Sequence, residues 1–164
     1  MPQPLLLLWL TGAVFCDFRR RKVPNGLVLA GAAAALLSLA TDTALPGLDW
    51  ATALRGGAVA FIVLLPLYAA RAMGAGDVKF AAALGLWVGP APLLPIGALG
   101  SMLAMGHALV LLALRRSAPD SRLALALCGR GADGRAAPQA RRHLPYAAYL
   151  ALATLAWLAW GGAR

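Results

Sequence analysis

The sequence predicts an all-α integral membrane protein, with six transmembrane helices in a single polytopic domain over residues 1–164 and both termini outside. Three observations predict it. Of the 164 residues 61% are hydrophobic and 13% charged, whereas a soluble domain runs at about one half and about one quarter. Glu is absent, and Ala and Leu gather in long blocks. The basic residues fall in short clusters between those blocks with no aromatics interleaved, which is the pattern of loops on one side of a bilayer. A net charge of +9 arranged in this way does not make a nucleic-acid-binding face.

Six apolar blocks approach the roughly 20 residues that a hydrocarbon core about 30 Å thick requires. They span residues 4–18, 27–40, 51–70, 78–94, 96–114 and 144–160. The first looks like a signal-peptide core at Leu5 to Leu10. However, no basic residue precedes it, and Arg19 to Lys22 follow it, so it is read as a retained first helix that also directs insertion. Blocks one and two are short and need flanking residues or a locally thinned bilayer. Gly89-Pro90-Ala91-Pro92 breaks the helical pattern between blocks four and five. Gly85 and Gly89 form a GxxxG that suits close packing of the fourth helix on a partner.

With the N-terminus outside, cytoplasmic loops fall at about 19–25, 71–77 and 115–143. They hold twelve of the fifteen basic residues, and Lys79 beside the second loop makes thirteen on the inner side, leaving only Arg55 and Arg164 outside. The outer loop Thr41 to Trp50 carries Asp42, Asp49, Pro46 and Gly47 and no basic side chain, while Trp50, Trp157 and Trp160 fall near predicted outer ends. The longest inner loop includes an apolar piece, Leu123 to Cys128, too short to span. Cys16 and Cys128 offer neither a CxxC pair nor metal spacing and read as free thiols. The pattern calls for no cofactor or metal.

An ionisable group at membrane depth needs a reason. Of the six acids, Asp42 and Asp49 belong to the outer loop, and Asp120 and Asp133 to the inner one. Asp17 and Asp77 remain, and both lie at the cytoplasmic end of a predicted span. Two carboxylates at one depth suit acid–base hydrolysis. Close together they share a proton, one activating water while the other polarises the scissile carbonyl. There is no HExxH, and His107 and His143 are far apart, with no serine or cysteine to activate. His107, alone in the fifth span, is expected to bond a neighbouring helix. Met102 and Met105 are expected to pack against lipid or core.

The local sequences sharpen the point. Gly74-Ala75-Gly76-Asp77-Val78-Lys79 is a GxGD motif whose glycines permit unusual dihedrals and close approach of a substrate strand. Asp17 is followed by Arg19, Val23, Pro24 and Asn25, the last two signalling the start of the second helix. Taken singly, Asp17 also reads as an interfacial acid and Asp77 as a helix N-cap. Arg19 to Lys22 is first a positive-inside anchor, and Lys79 suits either snorkelling or a charge effect on Asp77.

Together the two motifs resemble the type IV prepilin peptidases, GxGD aspartyl proteases of the bacterial inner membrane. Asp17, Arg19, Val23, Pro24 and Asn25 match the first family pattern, and Gly74, Gly76, Asp77 and Lys79 the second. His143-Leu144-Pro145-Tyr146 is similar to the start of the family's last helix. The resemblance implies that Asp17 and Asp77 are catalytic and that no cofactor or metal is used. The implied partners are a prepilin or pseudopilin with a short basic leader, the lipid bilayer and pilus assembly machinery. The cysteine-bearing insert of bifunctional members is missing, so the chain resembles the short form of tight-adherence (Flp-type) pili, with protease activity but not N-methylation. Three rivals stay open: a small ion- or proton-coupled transporter using the same acids, a non-catalytic scaffold, and a GxGD protease for preflagellin-like proteins. The transporter would be favoured by helices broken at the midplane or by an inverted repeat, and neither is visible.

Overall fold

A computed structural model describes residues 4–20, 23–117 and 146–160. Arg21, Lys22, most of the long inner loop with Asp120, Cys128 and Asp133, and His143 to Pro145 lie outside the described residues. The described residues are all-helical and form α1 (Pro4–Arg20), α2 (Asn25–Ala40), α3 (Trp50–Ala69), α4 (Ala75–Val88), α5 (Pro90–Ser117) and α6 (Tyr146–Ala159).

The elements start and stop for local reasons. Pro24 sits at φ −65° and ψ 139°, conformations a proline holds cheaply, and its carbonyl accepts from Leu27 and Val28 to open α2. Asp49 caps α3, accepting from the Thr52 N–H at 2.9 Å. The expected fourth span over 78–94 is corrected: α4 ends at Val88, Gly89 alone turns at φ 75°, and α5 begins at Pro90. Pro90 and Pro92 stand in the first turn of α5, where a missing N–H costs nothing. They therefore begin a helix rather than interrupt one. Even Pro95 stays within it.

α4 is the centre. It packs on α2, α3, α5 and α6, and eight of its 14 residues are buried. At about 1.5 Å per residue it reaches only about 21 Å, less than a hydrocarbon core, while the 28 residues of α5 reach about 42 Å. Among the described residues two helices, α3 and α5, are long and apolar enough to cross a membrane. Both turn large apolar side chains outward, among them Phe61, Ile62, Val63, Met102, Met105 and Leu109. A helix at the centre of a soluble core does the opposite.

Small residues set the two tightest crossings. Gly85 of α4 lies against the backbone of Gly56 in α3, and a methyl on either glycine would strike the other's carbonyl. Gly89 continues this contact against Thr52, so the GxxxG expectation holds, with Gly56 as the partner. The second crossing is built on Trp9. Its ring stacks on Phe80 at 4.8 Å, covers Gly31 with no room for a Cβ, and donates from Nε1 to the Leu27 carbonyl at 2.8 Å. Trp87, fully buried, donates to the Gly31 carbonyl at 3.0 Å. α1, α2 and α4 are thereby locked in register.

Candidate active site

The packing brings the end of α1 and the starts of α2, α4 and α6 to one end of the bundle. Asp17 stands in the last turn of α1, and its carboxyl is buried, with 3% of the residue exposed. Its Oδ2 accepts from the backbone N–H of Ala148 at 2.9 Å. Asp77 stands in the first turn of α4, and its Oδ1 accepts from the N–H of Ala147 at 3.2 Å. Two acids sixty residues apart in sequence thus meet on successive peptide groups of α6. The N–H groups of a helix's first turn have no acceptor within the helix and favour negative charge, which is why these carboxylates settle there.

Asp77 is therefore not the cap of its own helix. Gly74 holds the N-cap position and its carbonyl accepts from Asp77 and Val78, while the Asp77 side chain crosses to α6. Of the two reasons expected for the GxGD glycines, the unusual dihedrals are corrected. Gly74 has φ −76° and ψ 146°, which any residue adopts, and only Gly47 and Gly89 among the described glycines have positive φ. What matters at Gly74 is space: a Cβ there would stand 3.1 Å from Asp77 Oδ2. At Gly76 a Cβ would meet nothing within 4 Å, so that side of the acid is open to an approaching chain.

The supporting residues divide. Asn25 is the first residue of α2, with Pro24 in the N-cap position, and its Oδ1 accepts from Lys79 Nζ at 3.4 Å, which ties α2 to α4. Lys79 thus reaches toward α2. Arg19 is exposed and its guanidinium lies 5.2 Å over the Phe15 ring. Pro24 shapes the α1–α2 turn. Cys16, half-buried, is a free thiol beside Asp17.

Two ties from α6 to α5 were partly legible. His107 Nδ1 hydrogen-bonds the Tyr149 hydroxyl, as a lone intramembrane histidine was expected to do with a neighbouring helix. The Tyr149 ring also meets Phe18 edge-on at 6.3 Å. Ser101 and the Tyr146 hydroxyl lie 3.1 Å apart. Ala147 and Ala148 themselves escaped the sequence reading, since a backbone donor has no residue signature beyond a helix start after a proline. Among the described residues no group of His, Cys, Asp or Glu has the arrangement of a metal site.

An all-helical bundle with two convergent aspartates at one helix end defines a class of paired-carboxylate proteins. The sequence pattern of the type IV leader peptidase family matches residues 5–110, well over half of the chain and both acid motifs. The chain belongs to that family and is a peptidase. No curated protein and no solved structure matches it significantly.

Proposed function

We propose that this protein is an aspartic-type endopeptidase of the bacterial cytoplasmic membrane that removes the short basic leader from prepilins or pseudopilins. The observation that carries the reading is the meeting of Asp17 and Asp77 on successive amides of α6. One carboxylate takes a proton from water as the water oxygen attacks the scissile carbonyl carbon. The other, protonated, hydrogen-bonds the carbonyl oxygen, and collapse of the tetrahedral intermediate delivers a proton to the leaving amine. The open flank at Gly76 leaves room for the substrate backbone.

All six helices cross the membrane in this reading, the short α4 shielded by its neighbours, with both termini outside and the acids at the cytoplasmic face. The distribution of basic residues supports that orientation. A leader kept in the cytoplasm ahead of an apolar segment would then reach the pair at the membrane surface. The test is leader cleavage of a co-expressed prepilin, followed by gel shift, for wild type, Asp17→Asn and Asp77→Asn. Each near-isosteric change removes a titrating carboxylate, so cleavage is lost while the protein still accumulates in the membrane. Continued processing by both variants would return the acids to a transport or scaffold role.

A further inference from the structure

The two carboxylates are joined near their own level by something other than direct packing of α1 on α4. The aromatic contact between those helices, Trp9 on Phe80, lies two turns from Asp17 along α1 and one turn from Asp77 along α4. At the site, α1 and α4 each pack on α6, and α6 supplies both hydrogen bonds. Ala147 and Ala148 are both fully buried, so the entry of α6 is wedged between its neighbours. The Ser101–Tyr146 and His107–Tyr149 pairs hold the same turn to α5. The family pattern, matched to residue 110, stops before this helix.

We infer that Ala147 and Ala148 are positioning residues, whose backbone N–H groups hold Asp77 and Asp17 side by side and so set the spacing of the catalytic pair. This rests on the aspartyl-peptidase reading. The donors come from a first helical turn, so serving the carboxylates costs α6 none of its own hydrogen bonds. A carboxylate freed from its donor would keep its charge chemistry but lose its placement, and misplacement of about 1 Å is enough to cost about 100-fold in rate.

The test compares Ala148→Pro with Ala148→Gly in the purified full-length protein, using a detergent-solubilised prepilin as substrate. Proline deletes the N–H yet fits a first turn, whereas glycine keeps the N–H and makes no clash. The expected result is a kcat lowered about 100-fold with KM nearly unchanged for proline, and near wild-type turnover for glycine. Wild-type kcat in Ala148→Pro, or an equal loss in Ala148→Gly, overturns the inference. Amide exchange gives a readout independent of turnover and of whether the proline variant folds. Asp17→Ala should speed exchange at Ala148 but not at Ala147, Asp77→Ala the reverse, and unaltered protection in both overturns the inference. Asp17→Asn and Asp77→Asn, assayed alongside, separate the two failures: if they still cleave, the peptidase reading falls, whatever position 148 does.

Discussion

Arg71 follows α3 at φ 59°, a left-handed conformation usually left to glycine. The turn is a Schellman closure: the N–H of Arg71 reaches the Tyr68 carbonyl and that of Ala72 the Leu67 carbonyl, each at 2.9 Å. Asp42 closes α2 in the same way at φ 52°, where a short polar side chain is better tolerated. Arg71→Gly should therefore raise stability by about 1 kcal/mol, seen as a higher melting temperature in detergent. Asp49 offers a titratable counterpart. The Thr52 hydroxyl and N–H, with Arg55 nearby, hold its carboxyl below the usual carboxylate range. A lowered folded-state pKa means that the contribution is present above the unfolded value, about 3.9, and is lost as pH falls through the folded one. Asp49→Ala should accordingly melt earlier than wild type at neutral pH, and the gap should close at acid pH. A constant gap down to the lowest pH at which the fold survives would contradict it.

At the scale of elements, the α3–α4 crossing is where substitution should matter most. Apolar side chains gain little by leaving lipid for a helix interface, so association relies on close packing, and Gly56 against Gly85 provides it. Gly85→Val should cost about 3 kcal/mol or prevent accumulation, since backbone on the far side cannot yield. Gly97→Ala, where a Cβ meets nothing within 4 Å, should be neutral or slightly stabilising. Comparable losses in both, measured as membrane-inserted protein resistant to thermal aggregation, would remove the special status of the crossing. The sequence marked Gly85 and Gly89 as a packing face but could not name Gly56, because a GxxxG shows one surface and not what sits on it. It did mark a break at Gly89 to Pro92, but it ran the fourth span past that break to Leu94, since Leu93 and Leu94 continue the apolar count across the turn at Gly89.

For the whole molecule, the arrangement of helices makes a sidedness prediction. Thr43 and Ala72 are exposed at opposite ends of the bundle. In a background with Cys16 and Cys128 replaced by serine, Thr43→Cys should react with a membrane-impermeant maleimide added outside. Ala72→Cys should react only after the membrane is opened. The reverse labelling would invert the topology and put the acids on the wrong face for a leader held in the cytoplasm.

Several properties were determined by the sequence alone because they depend on local composition or spacing. These are the helical class, set by long apolar blocks; the two acid motifs and their order; and the family, which those motifs carry. Tertiary structure decided what the acids touch. Hydropathy cannot tell that a buried Asp17 meets the N–H of Ala148, or that Lys79 reaches Asn25. Those partners lie 131 and 54 residues apart in the chain. A hydrogen bond between such distant groups exists only once the packing around Trp9, Gly31, Gly56 and Gly85 has brought the helix ends together.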